Sequence, residues 1–477
     1  MTQAAESTAA APVATAWPRL RLVLVGLGIS VVPLDTSVNI AFPDITGSFG
    51  LPIAMIQWVV ICYVLTHAAS MLACGRVGDI WGHGRVFRAG LAWSIAAFLL
   101  CAAAPSYNLL LFFRFLQGIG AGLIISCAPA LVTGLYPEAR RSHALGIFTL
   151  MFSLGSAVGP LIGGMLVAHF GWPAVFWFRA PIALISLVFL RGLPRAGGGG
   201  RDQRFDIVGA VLLAAGLAGV LLAINASARL SQGDYLAVVL LPAAVASLAG
   251  FVWWEGRAAQ PIVRIEMFRH VGFAIVNLAS CLMNLATFSV MLFTPYFLVR
   301  YTTLPLPLAG AVLATGFIVM AAASPLAGAA VARFPAERVA LLGALSIGAG
   351  LFLIGSWQPQ ASTVLMVLAL ALHGFGLSFF QVAYMEIVLA ASPLAHRGVA
   401  GSLSMLTRVV GVVTGASVLT LGFQAISGVA RGSGLDDAGA FLAAYHAMFR
   451  LAGVLAALTG LVVGWSARRR EDAIGPA

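Results

Sequence analysis

Apolar runs of about twenty residues recur along nearly the whole chain, separated by short polar stretches rich in arginine. A helix rises about 1.5 Å per residue, so a run of this length crosses a hydrocarbon layer of about 30 Å. Fourteen such runs are predicted, the first near residues 20–41 and the last near 442–465. The expected fold class is an all-α membrane protein.

Composition agrees with that pattern. Hydrophobic residues make up 61% of the 477 residues and charged residues only 9%. Soluble domains carry about 25% charged residues, so this chain lacks the polar atoms to clothe itself in water. All 27 basic residues counted as Lys or Arg are arginines. Their placement alternates. Twenty fall on one set of inter-run segments and the termini, three (Arg229, Arg300, Arg431) fall on the alternate set, and four (Arg114, Arg179, Arg408, Arg450) lie inside runs. By the positive-inside rule both termini are expected in the cytoplasm, in a bacterial inner (plasma) membrane. The net charge of +11 then reports orientation, and no nucleic-acid partner is expected. Five cysteines (Cys62, Cys74, Cys101, Cys127, Cys281) are scattered without CxxC spacing and read as small apolar packing.

The organisation predicted from these runs is a disordered cytoplasmic N-terminus at 1–18 and a six-helix bundle at 19–193. A Gly/Arg linker at 194–205 follows, holding four consecutive glycines. Two additional membrane helices lie at 206–256, a second six-helix bundle at 257–467 and a cytoplasmic tail at 468–477. An internal repeat supports two bundles. Arg141, Gly155 and Gly159 align with Arg397, Gly411 and Gly415 at an offset of 256. The same offset carries Gln117, Gly118 and Gly120 onto His373, Gly374 and Gly376. An offset of 253 carries Gly75, Arg85 and Gly90 onto Gly328, Arg338 and Gly343. Parallel repeats of this kind place a binding site between the halves near the midplane.

Four segments carry chemistry. On the first run, Leu34-Asp35-Thr36-Ser37-Val38-Asn39-Ile40-Ala41-Phe42-Pro43 puts an acid inside an apolar helix, which is costly, so either it serves a function there or it lies near enough to the outer surface to be solvated. Between the second and third runs stands Gly75-Arg76-Val77-Gly78-Asp79-Ile80-Trp81-Gly82-His83-Gly84-Arg85, read as a polar loop. On the fourth run, Arg114-Phe115-Leu116-Gln117-Gly118-Ile119-Gly120-Ala121-Gly122 buries a cation. On the fifth, Gly155-Ser156-Ala157-Val158-Gly159-Pro160-Leu161-Ile162-Gly163-Gly164 sets small residues four apart, which lets backbones approach. Asp35 and Arg114 fall roughly 8–9 Å below the same boundary, at 1.5 Å per residue. Either they pair, or Arg114 snorkels to the surface. Arg179 lies at the same depth, and three readings stand: pairing with Asp35, an anionic substrate group, or snorkelling. Glu386 is either solvated or paired with Arg397, or a second protonation or cation site. For Arg408 and Arg450 structural pairing and substrate contact remain open. Asn39, Gln57, Trp58, Gln117, Arg179, Asn284 and Glu386 make up the candidate substrate cavity, with Tyr63 and Asn277 as further polar groups of that kind.

These four segments resemble the motifs of the major facilitator superfamily, in its fourteen-span drug:proton antiporter branch. The resemblance implies the major facilitator fold, two six-helix bundles plus two additional transmembrane helices, working by alternating access. Proton coupling through Asp35 and Arg114 is expected from their shared depth, because a movement that parts them would alter the acid's proton affinity. The resemblance also implies a cytoplasmic gating loop through Gly75, Asp79, Gly82 and Arg85, although Ile80 stands where the family has arginine. It implies an antiporter packing motif through Gly155, Gly159, Pro160, Gly163 and Gly164. The expected activity is proton-coupled efflux of hydrophobic or amphipathic small molecules. The alternative is a dedicated metabolite or lipid transporter of the same fold. The sequence holds no P-loop, no HExxH and no clustered His/Cys ligands, so neither an enzyme nor an ATP-driven pump is expected. No cofactor or metal is expected beyond the proton gradient. The expected partners are a small-molecule substrate, protons and the lipid bilayer, and the expected form is a monomer.

Overall fold

The computed structural model describes residues 18–134, 141–190, 206–227, 235–258, 268, 271–390 and 397–474. The predicted linker 194–205 lies outside the described residues, as do the first seventeen residues. The described residues form helices and turns. In chain order the helices are α1 (Pro18–Ser30), α2 (Ser37–Ile40), α3 (Phe42–Ser48), α4 (Ile56–Trp81), α5 (His83–Ala102) and α6 (Tyr107–Gly134). Then come α7 (Arg141–Phe170), α8 (Ala174–Trp177), α9 (Arg179–Phe189), α10 (Ile207–Ser227) and α11 (Leu236–Glu255). The chain closes with α12 (Val271–Arg300), α13 (Leu306–Arg333), α14 (Ala336–Ile354), α15 (Thr363–Ala390), α16 (Arg397–Gly432) and α17 (Asp437–Ile474).

Twelve stretches among the described residues are helical, long and apolar enough to cross a membrane. Two shorter apolar helices, Ala174–Phe189 and Val211–Val220, stand where the sixth and seventh runs were predicted. Fourteen crossings require both of them. The surface fits a lipid solvent: Phe112, Phe189, Val239, Val364 and Leu458 are exposed on helix faces, where water would penalise them.

The helices pack in two groups. Helices α4, α5, α6 and α9 pack in series, and α7 packs on the helix string α1–α2. In the later chain α13, α14, α15 and α17 pack in series, and α12 packs on α16 and α17. Helices α10 and α11 form their own hairpin, and α10 touches α4 and α16.

The sequence repeat reappears as matched helix contacts. A Cβ added at Gly90 would press on Ile124 of α6, and one added at Gly343 would press on Phe380 of α15. Gly120 closes on Ser94 as Gly376 closes on Ile347. Gly118 closes on the backbone of Tyr63 in α4, and Gly374 on the backbone of Gly316 in α13. In each case both members are displaced by the offsets of 253 or 256 found in the sequence.

We call the end of the bundle holding the start of α1 the terminal end, and the opposite end distal. The groups meet tightly at the distal end. Gly164 of α7 would drive a Cβ to 2.7 Å from the carbonyl oxygen of Leu306 and 3.2 Å from Cα of Gly310 in α13. Tyr296 of α12 donates its hydroxyl to the carbonyl of Phe42 (3.4 Å) and lies 3.2 Å from Thr46 Oγ1.

Two local readings need correction. The segment 75–81, expected as a loop, is the last part of α4, which runs to Trp81. Gly82 alone breaks the helix, at φ +90°, where a side chain is strained. Residue 35 was expected in a continuous helix, but a short 3-10 helix, Pro33–Thr36, interrupts that run between α1 and α2. Pro33 lacks the N–H that a continuing α-helix would bond, and the amide of Asp35 bonds instead to the carbonyl of Val32 (3.1 Å).

Candidate functional site

The site begins with that interruption. The 3-10 turn presents Asp35 toward α6 and α9, and its side chain is 13% exposed. Arg114, on α6, and Arg179, the first residue of α9, are buried at 1% and 0%. Arg114 Nη1 lies 2.7 Å from Asp35 Oδ1, and Arg114 Nη2 lies 2.9 Å from Asp35 Oδ2. The fork therefore grips both carboxylate oxygens, the geometry that makes arginine a specific carboxylate partner. Arg179 Nη1 donates to the same Oδ1 at 2.7 Å. Gln117 Nε2 donates to it at 2.9 Å. Oδ1 thus accepts three donors from two helices, and Oδ2 accepts one.

The neighbouring groups hold the donors in place. Arg114 Nε donates to the carbonyl of Val59 at 2.9 Å, and Arg114 Nη1 to Gln117 Oε1 at 2.8 Å. Arg179 Nε donates to the carbonyl of Val175 at 3.2 Å. Two like charges share this space because aromatic faces stand against them. The Arg114 guanidinium lies 4.4 Å from the Tyr63 ring centre, and that of Arg179 lies 4.5 Å from the Phe98 ring centre. Phe176 stands between them, 5.8 Å from one and 5.6 Å from the other. One donor atom, Arg179 Nη2, is buried without a hydrogen bond.

Arg114 does not snorkel, and neither does Arg179; both turn inward to one acid. Gln117, read from sequence as a cavity group, belongs to this cluster instead. Its position three residues after Arg114 sets it on the same helix face, a signal available in the sequence. Tyr63 was expected as a cavity group. The structure also makes it the ring beneath Arg114. His67, one turn further along α4, was not anticipated; its ring centre is 5.7 Å from that of Tyr63.

The small-residue motif on α7 lies behind the acid. A Cβ at Gly155 would meet Pro33, at Gly159 Thr36 and Ser37, and at Gly163 the carbonyl of Ser37. These glycines let α7 lie directly on the 3-10 turn that carries Asp35. Gly164, on another side of α7, faces α13, and the carbonyl of Pro160 lies against Gly310.

The remaining candidates are dispersed. Asn39 is buried on α2, and Trp58 is half-buried on α4. Gln57 is buried near the distal start of α4. Asn284 donates to the carbonyl of Ser280 in its own helix at 2.8 Å. Glu386 is exposed on α15 and is not part of the Asp35 cluster. In the predicted gating segment Gly82 forms the break and Arg85 is exposed on α5. Gly75 and Asp79 lie on the helical backbone of α4, with their side-chain surroundings outside the described residues.

Among the described residues the later helices carry no matching charge cluster. The offset of 256 puts Leu370 at the counterpart of Arg114, and the stretch 281–290 of α12, packed like the Asp35 turn against small residues, contains no acid. What they carry instead is a neutral lock. Tyr384 Oη donates to Asn277 Oδ1 at 2.9 Å and lies 3.0 Å from Thr407 Oγ1, which joins α12, α15 and α16.

Comparison with known proteins agrees with the fold and the motifs. The sequence pattern described as Major Facilitator Superfamily matches residues 22–254 and 276–476. The chain is 28% identical over 402 residues to the multidrug resistance protein Stp of Mycobacterium tuberculosis, covering 84% of this chain and 75% of that one. It is 30% identical over 407 residues to the tetracenomycin C resistance and export protein of Streptomyces glaucescens, again covering 84% and 75%. The solved structure of the peptide transporter POT in complex with sulfate superposes with a TM-score of 0.72 at 16% identity, covering 94% of each chain, which shows the shared fold. The chain is a transport protein of the membrane and belongs to the Major Facilitator Superfamily, on its drug-efflux branch.

Proposed function

We propose that this chain is a proton-coupled efflux antiporter for hydrophobic or amphipathic small molecules, working by alternating access between its two helix groups. The observation that carries the reading is the convergence of Arg114, Arg179 and Gln117 on Asp35 Oδ1. Three donors occupy that oxygen and one the other, and the two guanidinium charges oppose an incoming proton, so loading is favoured when an arginine moves away. Arg114 sits on α6, Arg179 on α9 and Asp35 on the interrupted first run. A rearrangement that slides these elements apart would free the carboxylate to load a proton, and the reverse movement would expel it. The 3-10 interruption at Pro33 supplies a place where the first run can bend without unfolding.

The glycines at 155, 159 and 163 support the same cycle, because a smooth contact between α7 and the Asp35 turn permits sliding. The resistance and export relatives support an outward direction for the substrate. The arginine distribution supports cytoplasmic termini in a bacterial plasma membrane, which makes the terminal end the cytoplasmic one. Gly75, Asp79, Gly82 and Arg85 then form the cytoplasmic latch. Protons, with no cofactor, supply the drive, and one chain holds the whole pathway.

The test is an Asp35→Asn variant reconstituted in proteoliposomes. Asparagine keeps the shape and loses the titratable group. The expected outcome is a folded, inserted protein whose substrate movement no longer responds to an imposed pH gradient. Export driven by the gradient at the wild-type rate in that variant would remove Asp35 from the mechanism. A panel of unrelated toxic compounds, tested in expressing and non-expressing cells, separates broad efflux from a single dedicated metabolite or lipid.

A further inference from the structure

Helices α16 and α4 pack against each other across the seam between the helix groups, and each brings polar side chains to that seam. On the later side, Thr407 turns inward to the lock with Tyr384 and Ser280. The next residue, Arg408, is rotated about 100° around α16 and cannot share that direction. It is exposed, although it stands eleven residues, about 16 Å, inside α16. Among the described residues its guanidinium makes no hydrogen bond and no ion pair. It is within electrostatic range of the Tyr63 hydroxyl and the His67 ring on α4, the helix that α16 packs against.

The earlier side answers with open polar groups. Tyr63 is only 7% exposed, and among the described residues its hydroxyl makes no hydrogen bond. His67 Nε2 is buried without a partner. A polar group left unpaired in a buried setting costs free energy, and an arginine inside a membrane needs an anion or water. Asp35 does not supply that anion. It is already held by two arginines, one of which keeps a spare donor atom. Glu386 is exposed on α15. Arg114, Arg179 and Arg408 therefore outnumber the one acid among them.

We propose that Arg408, Tyr63 and His67 form a subsite for the acidic group of the substrate, a carboxylate or acidic phenol carried on an aromatic body. The guanidinium supplies a forked pair of donors, the hydroxyl a further donor, and the imidazole a donor when Nε2 carries its proton. The rings of Tyr63 and His67, one turn apart on α4, give an aromatic body a surface to lie on. This rests on the reading of the chain as an exporter of amphipathic small molecules and adds the substrate's charge class.

The test is equilibrium binding to the purified full chain in lipid nanodiscs, with no gradient applied. The probes are 2-naphthoate and its neutral isostere 2-naphthamide. The wild type is expected to bind the acid about tenfold more tightly or better, the scale of one charge-assisted contact. Arg408→Gln is expected to abolish that preference while leaving 2-naphthamide within about twofold, and Arg408→Lys to keep part of it. Tyr63→Phe is expected to weaken the acid alone, by a few-fold. Retained 2-naphthamide binding shows that each variant is folded. Equal wild-type affinity for the two probes, or equal loss of both in Arg408→Gln, overturns the subsite. Because binding is read without a gradient, an uncoupled Asp35→Asn protein tests the antiport reading separately. Acid selectivity that survives in that variant leaves this proposal standing whatever the coupling result.

Discussion

Arg300, the last residue of α12, donates from Nη2 to the carbonyl oxygen of Pro43, which sits in α3, at 3.2 Å. Its guanidinium also lies 5.5 Å from the ring centre of Tyr296, which itself reaches Phe42 and Thr46. One arginine thus clasps the first and second helix groups at the distal end. Arg300→Ala removes the clasp without touching the Asp35 cluster. The distal end is expected to open more often. A cysteine introduced by Thr46→Cys, in a background lacking the five native cysteines, should then react several-fold faster with a membrane-impermeant maleimide. An unchanged labelling rate would show that the clasp does not hold that end shut.

The two arginines on Asp35 are not equal. Arg114 grips both oxygens and is itself tied to Val59 and Gln117, whereas Arg179 makes one bond to the acid. Removing one partner of a buried pair costs about 3–5 kcal/mol when it strands the other. Arg114→Gln is therefore expected to lower the melting temperature in detergent clearly more than Arg179→Gln, which leaves Asp35 its forked partner. Equal shifts would mean that the fork contributes no more than the single contact.

Gly164 marks a contact without slack. A methyl group there meets the carbonyl of Leu306 at 2.7 Å, a backbone atom that cannot rotate away. Gly164→Ala is expected to cost about 1–3 kcal/mol of closed-state stability, as overpacking does. The measurement is distal accessibility with the Thr46→Cys reporter, which should rise, together with a reduced transport rate.

Gly82 holds φ +90° between α4 and α5. Gly82→Ala forces a side chain into that region at a cost of about 1 kcal/mol or more. Thermal unfolding in detergent should report a lower melting temperature, while Gly84→Ala, inside the first turn of α5, should lower it less.

Much of this arrangement was legible from residue order. Counting along apolar runs placed Asp35, Arg114 and Arg179 at one depth, and all three do meet. Depth is only an axial coordinate, however. It says nothing of rotation, which is decided by which small residues let which helices touch. That is why Gln117 read as a cavity group and why the orientation of Arg408 was undetermined. The bend at Pro33 was present in the sequence as a proline, but a proline within a membrane run is compatible with a smooth kink as well as a 3-10 turn. Likewise the polar string 75–81 read as loop because glycine and charge dominate it. Only Gly82 adopts the backbone that stops a helix.

The duplicated architecture has kept its glycine contacts in both copies and its charge in one. Leu370 stands where Arg114 stands in the other copy, so the two copies have divided their labour. Under the proposed cycle the first copy alone would carry the coupling charge, while the second copy would add Arg408 to the groups that meet the cargo. A hybrid in which α12–α17 come from a relative with a different spectrum should change what is expelled and leave the dependence on external acidity as it was.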